Sequence, residues 1–461
     1  MKNVEKLTQI VDGGYCIGCG GCAHMASDTI KMQFDRYGML QPEISAELDE
    51  GKAGGILNVC PFSDDGSNED ELALTLFPEI KQDARIGRYR GLYAGYVQEG
   101  EFREKGSSGG VVSWVLAELL KKNLADKVIH VAPVPASSGR LFAYRVSASV
   151  EEVLQGAKSK YYPIELSEVL NQVRSKEGRY VLVGVPCFIK VVRRLALIDP
   201  VIQERIVFYV GLVCGHLKSK AFADCFAWQA GIQPGQLEKI DFRVKLPNRN
   251  SSDYGALVAG AGKTITRATR EFFGSNWGHG FFKYSACEYC DDVFAETADI
   301  AVGDAWLPEY TDDNFGNSIV VTRSVELERV IADGIASGRL NMKGCPADKT
   351  AESQAGGLRH RRDGLSYRLC LKKEEGVWAP KKRVPVSEAG VGSKRKRIYG
   401  LRETLRQRSH ELWAESMSAG SFAVFESEMK KLIRRYNRAY ASFPARIAQK
   451  AKIAIKKVLG L

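Results

Sequence analysis

Apolar and polar residues alternate in "TIKMQFDRYGMLQPEI": Ile30, Met32 and Phe34 point one way, and the turn "DRYG" leads into a second short run. Period two on both sides of a turn predicts a β-hairpin. "LYAGYV" and "DKVIHVAPV" predict two more strands. Between them, in "VVSWVLAELLKKN", Val111, Val115 and Leu119 recur every fourth residue, which predicts an amphipathic helix with glycine and serine ahead of it. The centre carries one pattern twice, "RYVLVGVPC" ending at Cys187 and "RIVFYVGLVC" ending at Cys214, with "FIKVVRRLALI" of helical period between them. Nearly continuous apolar runs joined by a helix predict parallel strands covered on both faces. Parallel strands end on one rim of their sheet, where α/β proteins bind ligands, and that rim is where Cys187 and Cys214 are expected. "ADIAVGDAW" predicts a further strand behind Cys287 and Cys290.

From about Ala351 the chain turns polar and basic. "PKKRVPVSEAGVGSKRKR" predicts a linker, and Phe425, Met429, Leu432 and Tyr436 share one face of a helix. "FPARIAQKAKIAIKKVLGL" is a basic amphipathic segment. The net charge of +11 belongs to this part: from Lys381 onward 20 basic residues face 6 acidic ones, and the rest of the chain carries −3. Such a tail suits an anionic membrane surface, a docked partner or the protein's own core. Nucleic acid is not expected, since no reading motif accompanies the charge.

A length of 461 residues allows two to four domains, and 44% hydrophobic with 26% charged residues is a globular composition. The start "MKNVEKLTQIVDGG" has no apolar core of a signal peptide, and no apolar run is long enough to span a membrane. The expected location is the cytoplasm, with contact to the membrane surface through the tail. Eleven cysteines, an odd number in a long chain, argue for metal binding, catalysis or burial over a disulfide framework.

Three of those cysteines stand at 16, 19 and 22 in "YCIGCGGCAHM", and Cys60 precedes Pro61. Three thiolates at this spacing with a distant Cys-Pro form half of a bacterial ferredoxin, in which one loop wraps three corners of a 4Fe–4S cubane. Glycines at 18, 20 and 21 let the backbone turn around it. Structural zinc, the alternative, favours paired C-x2-C ligands. Cys16, Cys19, Cys22 and Cys60 are therefore expected to hold one 4Fe–4S cluster. Cys187, Cys214 and the C-x2-C pair Cys287 and Cys290 suit a second cubane or zinc, or Cys187 and Cys214 are merely small residues of a core. Cys225, Cys345 and Cys370 read as structural.

"GSSGG", with Ser107, Ser108, Gly109 and Gly110, precedes the helix from Val111 and reads either as an anion site for a flavin phosphate or as an ordinary N-cap turn. "GAKSKYY" offers Lys158, Lys160 and Tyr161 to hold phosphate and stack on a ring, or is a solvated loop. "DFRVK" offers Arg243 and Lys245, "VGDAW" offers Asp304, and His216 follows Cys214 closely.

Taken together, "CIGCGGC", "SSGGVVS", "KSKYY", "VGVPCFIKVVRRL", "VGLVCGH", "DFRVK" and "CEYCDDVFAETADIAVGDAW" resemble the beta subunits of the coenzyme F-420 (deazaflavin) hydrogenase/dehydrogenase family, over roughly residues 10–345. The resemblance implies an iron–sulfur flavoprotein. It implies FAD in the central domain, with residues 107–110, Lys158, Lys160 and Tyr161 as its contacts and Cys187, Cys214, Cys287 and Cys290 as ligands of a second cluster. The function expected is an oxidoreductase passing electrons between 4Fe–4S clusters and FAD, to or from a small molecule. A deazaflavin or an intermediate of cell-surface polysaccharide biosynthesis would suit as substrate. A ferredoxin or a reductase would suit as redox partner. Two alternatives remain: an electron-transfer subunit for a separate catalytic partner, and a zinc-stabilised binding protein.

The expected fold is a central α/β domain with a mainly parallel sheet, preceded by a small α+β ferredoxin-like 4Fe–4S domain and followed by a helical basic tail. The boundaries are 1–85 for the ferredoxin-like domain, 86–175 for the flavin-binding part, 176–350 for the α/β part with the second cysteine group, and 351–461 for the linker and tail.

Overall fold

The two apolar runs of the centre fold as the strands Tyr180–Gly184 and Ile206–Leu212, paired in parallel in the middle of an eight-stranded sheet. In this computed structural model, which describes residues 1–441, the strand order is Leu340–Gly344, Gly91–Val97, Ser318–Thr322, Ile300–Asp304, Ile206–Leu212, Tyr180–Gly184, Lys127–Pro133 and Phe142–Ser147. Strands Ile300–Asp304 through Lys127–Pro133 run parallel. The remaining four pairings are antiparallel. The sheet is therefore mixed and not mainly parallel: the expectation holds in the centre and fails on both flanks. A parallel pair needs a long crossover, usually a helix packed on the sheet. The connections from Lys127–Pro133 to Phe142–Ser147, and from Ile300–Asp304 to Ser318–Thr322, contain no such helix and turn the chain back on itself.

Period two sorts the core. Tyr180 and Leu182 enter the apolar cluster on one face of the sheet, and Val181 and Val183 enter the cluster on the other. Helices Val111–Lys121 and Val325–Ala336 cover the Val181 face, and helix Pro186–Ala196 covers the Leu182 face. The N-terminal region is a small α+β unit. It holds helices Asn3–Asp12, Glu50–Val59 and Glu69–Leu76 and the predicted hairpin of Ile30–Phe34 with Leu40–Ile44. Its Leu7, Ile10 and Ile56 belong to the same cluster as Leu182, Val191 and Leu369, so it shares a core with the sheet and with helix Asp363–Glu374.

A three-stranded antiparallel sheet, Lys239–Val244, Gly255–Gly260 and Lys263–Ala268, packs with helix Ala221–Gln229 around Phe226 and Phe242. The helical hairpin of Ser393–Ala419 and Phe422–Tyr440 closes this second core. Phe425, Met429 and Tyr436 are buried there and Leu432 is half-buried. The segment expected as a linker is irregular but packed. Trp378 meets Tyr15 edge-on at 5.2 Å, and the Arg383 side chain is buried against Asp291 and Glu296. Much of the basic C-terminal region is thus a wall of the protein. The segment "FPARIAQKAKIAIKKVLGL" lies outside the described residues. Among the described residues, no helix is long and apolar enough to cross a membrane.

Candidate functional site

The first cysteine loop is wound between helices Asn3–Asp12 and Gly21–Met25. Gly18 and Gly20 take φ of +71° and +78°, and a Cβ on Gly18 would come within 2.4 Å of the Leu40 carbonyl oxygen. Only glycine makes this loop. The Gly18 amide donates to Cys16 Sγ at 3.4 Å. Cys60 ends helix Glu50–Val59, and the Arg194 guanidinium donates to its carbonyl oxygen. Cys16, Cys19, Cys22 and Cys60 line one cavity of about 30 Å³, whose other walls include Leu7, Ile10, Ile56 and Val191. Burial pushes all four thiols up, Arg194 and Lys382 oppose this at Cys60 alone, and among the described residues no arginine or lysine lines the cavity itself. A soft cationic centre would supply the missing charge, and a four-sulfur donor set fits an iron–sulfur cluster.

The second group is assembled from three parts of the chain. Cys187 was expected at a strand end. It lies instead in the first turn of helix Pro186–Ala196, because Pro186 starts that helix directly after Gly184 and Val185. Cys214 follows strand Ile206–Leu212, with its amide on the Val293 carbonyl at 3.0 Å. Cys287 and Cys290 stand in and just after the 3₁₀ turn Ser285–Tyr289. Burial pushes the Cys187 thiol up, and Cys290, Cys214 and Cys287 act on it in the same direction. Arg361 Nη1 donates to Cys290 Sγ at 3.2 Å, and the Leu217 amide donates to Cys287 Sγ at 3.3 Å. Among the described residues, no three Cys, His, Asp or Glu side chains are gathered to hold a single metal ion. A cubane spreads its thiolates over four separate irons and holds them farther apart than one ion does.

The two groups adjoin. A second cavity of about 10 Å³ is lined by Cys187 and Cys290 and shares Pro61 and Phe62 with the first. Cys19 of the first group acts electrostatically on Cys187 of the second, and Tyr144 senses both. Buried ion pairs surround them: Lys190 with Glu69 at 3.0 Å, and Arg383 with Asp291 at 3.3 Å. Burial, with Glu296 second, pushes the Asp292 carboxyl up to about 7.

Beyond Cys214 the chain enters the junction where the small sheet meets the main sheet, Arg243 of one bonding Asp304 of the other. His216 packs on Trp277 with ring centres 4.3 Å apart, and Tyr161 meets the same indole at 4.8 Å. The Ser107 hydroxyl accepts the Ser159 amide at 2.8 Å, so the two loops expected to contact flavin do meet. Arg243 grips Asp304 through both terminal nitrogens, at 3.1 and 3.0 Å, lies over the Tyr254 ring and donates to the Ser107 carbonyl. Lys245 donates to the Ser108 carbonyl at 3.3 Å, and burial, reinforced by Arg103, Lys158 and Arg243, pushes it down to about 8. A concentration of cations at the start of helix Val111–Lys121 favours an anion. Arg243 Nε and His216 Nε2 are both buried without a hydrogen-bond partner, which leaves this junction with polar atoms for a bound group to satisfy.

Other expected contacts serve the protein itself. Lys160 turns inward to the carbonyls of Gly156 and Lys158, and burial pushes it down to about 7. Lys158, at φ +73°, pairs with Asp241 at 2.7 Å. Ser108 donates to the Asn317 carbonyl, and Gly109 and Gly110 are pressed against neighbouring backbone. Trp277, Tyr254 and Arg361 carry no mark in the sequence. A tryptophan in "SNWGHGF" is a weak signal, and "RHRRDG" reads as surface charge.

Two segments of the chain match known sequences. Residues 92–171 match the N-terminal part of the coenzyme F420 hydrogenase/dehydrogenase beta subunit, and residues 177–348 match the C-terminal part of the same subunit. Together they cover more than half of the chain. The chain belongs to this family. As a member of the coenzyme F420 hydrogenase/dehydrogenase beta-subunit family, it is a redox protein of a family of oxidoreductase subunits. Residues of the two family segments meet here, Ser107 with Arg243 and Tyr161 with Trp277, and all four cysteines of the second group are in the C-terminal segment. The chain is 23% identical over 339 residues to the coenzyme F420-dependent sulfite reductase of Methanocaldococcus jannaschii. That match takes in 70% of this chain and 47% of the relative, so the chain spans about half of the relative's length. A chain in the F420-reducing NiFe hydrogenase complex of Methanosarcina barkeri aligns at 17% identity with a TM-score of 0.49, over 66% of this chain and 99% of that one.

Proposed function

We propose that this beta-subunit family member is an iron–sulfur flavoprotein oxidoreductase. In this reading Cys16, Cys19, Cys22 and Cys60 hold one 4Fe–4S cluster, Cys187, Cys214, Cys287 and Cys290 hold a second, and FAD lies at the junction of Ser107, Tyr161, Arg243 and Trp277. One observation carries it: the three sites are contiguous and in order. The first cavity shares a wall with the second, and Cys214 leads within two residues to His216 on Trp277 at the junction.

Clusters of this kind carry single electrons and a flavin exchanges one electron or a hydride, which joins a one-electron partner to a two-electron substrate. The protein's share is to bind and orient. Arg243, held by Asp304, and Lys245 would face an anionic group of the flavin, and the rings of Trp277 and Tyr161, packed on each other and on His216, would border it. The apolar walls of Leu7, Ile10, Ile56 and Val191 and the buried pair of Lys190 with Glu69 limit water at the sulfur sites. A deazaflavin or a polysaccharide-pathway intermediate is the proposed substrate, and a ferredoxin or reductase the proposed partner.

The test is anaerobic purification with iron, sulfide, zinc and flavin counted per chain. About eight iron, about eight sulfide and about one FAD support the proposal by cubane stoichiometry. About four iron with FAD removes the second cluster. Zinc without sulfide or flavin overturns the reading. The family's description as a beta subunit favours a second reading, electron transfer for a separate catalytic partner. Turnover of a small acceptor by the isolated chain would exclude it.

A further inference from the structure

Three buried arginines reach the second cysteine group from the region beyond residue 348, outside both family segments: Arg361, Arg368 and Arg383. Two of them have carboxylate partners. Arg368 lies 3.5 Å from Glu288, and Arg383 is held by Asp291 and Glu296. Arg361 differs. It ends helix Ala355–Arg361 at 2% exposure, and no carboxylate among the described residues forms an ion pair with it. Its Nη1 reaches Cys290 Sγ at 3.2 Å and also donates to the Asp292 carbonyl, while Nη2 donates to the Gly215 carbonyl at 2.7 Å. Cys290, Cys214 and Cys287 all act on it electrostatically in favour of its charge. A guanidinium stays charged inside a protein, and burying it without a counter-charge is costly. The groups placed to compensate Arg361 are sulfurs of the second cysteine group.

The geometry points to Arg361 as a positioning residue that sets how readily a cluster on Cys187, Cys214, Cys287 and Cys290 takes up an electron. The inference rests on the two-cluster reading above. Reduction adds negative charge, and a fixed cation hydrogen-bonded to a ligand sulfur stabilises the reduced form. The same side chain holds the Gly215 carbonyl, between Cys214 and His216, and so fixes the turn that leads from the sulfur site to the junction of the sheets. A segment outside the family's matched residues thereby completes a centre within them.

The experiment is an anaerobic potentiometric titration of the purified holoprotein, followed by electron paramagnetic resonance and visible absorbance. Wild type, Arg361→Gln and Arg361→Lys are compared at matched iron and sulfide content. Arg361→Gln is expected to move one of two reduction steps to more negative potential while the other stays. At fixed potential the reduced-to-oxidised ratio of that cluster falls about tenfold, equivalent to about 59 mV for one electron. Arg361→Lys, which keeps the charge but not the fork of donors, is expected to move less in the same direction. Arg361→Gln with full iron and both steps unmoved overturns the inference. If Arg361→Gln loses half of its iron, Arg361→Lys decides: full iron with a smaller negative shift supports the role, while an unmoved step or the same iron loss overturns it. A wild type with iron for one cluster only fails at the earlier level, refuting the second cluster itself and Arg361's role with it.

Discussion

Gly109 tests whether "GSSGG" is a phosphate cradle or a piece of packing. Its φ lies outside the left-handed region, so its backbone is open to any residue and the cost of a side chain there is contact alone. A Cβ would lie 2.8 Å from the Gly95 carbonyl oxygen, 2.8 Å from Ser318 Oγ and 2.9 Å from the Ser318 amide nitrogen. Two of these are backbone atoms, and Gly95 and Ser318 are partners across two paired strands of the main sheet. Neither can retreat without breaking that ladder. Gly109→Ala is therefore an overpacking change, at about 2–3 kcal/mol. Unfolding entropy of about 2.1 cal/mol/K per residue gives roughly 1.0 kcal/mol/K for a chain of this size, so the melting temperature falls by about 2–3 °C if it unfolds as a unit. Ser107→Ala makes the opposite case: it removes the acceptor of the Ser159 amide at the junction and makes no clash. The assay is anaerobic calorimetry at one scan rate, with bound FAD measured in the folded fraction. Gly109→Ala should keep its flavin and melt earlier, whereas Ser107→Ala should lose flavin and, compared with flavin-free wild type, show little change in melting. Gly109→Ala that loses flavin at an unchanged melting temperature would refute the packing argument.

Cys19→Ala should cost about four iron and about four sulfide per chain while FAD stays bound, because Cys19 lines only the first cavity; elemental analysis checks it. Asp304→Asn leaves Arg243 buried without its bidentate carboxylate and should destabilise the protein by about 2–4 kcal/mol, less than a fully enclosed pair because Asp304 is 22% exposed; it should also weaken FAD retention, read by equilibrium dialysis. His130 is buried, hydrogen-bonded to Ser147 and pushed down to about 4 by burial, with Lys160 and Arg145 adding to it. The unfolded chain binds this proton first, so the stability is fully present above about pH 6.5 and is lost as pH falls towards about 4. Denaturation of wild type against His130→Gln across that range should show a steeper slope in wild type, since His279 and His410 keep their own contribution in both, and equal slopes would sink the assignment.

The cysteine triplet was legible because its chemistry is local. Three ligands within seven residues leave one loop to build, and the glycines it needs stand between them. The second group was readable only as a set of candidates. Cys187, Cys214 and the 287/290 pair are brought near one another by the parallel strands Tyr180–Gly184 and Ile206–Leu212 and by the turn before Ile300–Asp304. The placement of Cys187 at a strand end went wrong because apolar runs give no mark for where a strand stops, and Pro186 opens a helix just ahead of it. The sheet's flanks were misread as parallel for a related reason: a strand's pattern of apolar residues is the same in either direction. The linker was misread because "PKKRV" shows charge and not the carboxylates that surround Arg383, which come from distant segments.

What the sequence by itself determined are the features with a short range. These are the strands and helices set by periods of two and about 3.6, the ferredoxin-like cysteine loop, the family motifs in their order, and the apolar face of the last described helix. What only the tertiary structure decided are the meetings: the two cysteine groups behind one shared wall, Arg243 on Asp304, His216 on Trp277, and Arg361 on Cys290. Each joins residues separated by tens of positions or more. Periodicity tells a side chain which face to take, but the partner across that face is chosen by the packing of elements against one another, and burial then turns a surface-looking charge such as Arg361 into a neighbour of buried sulfur.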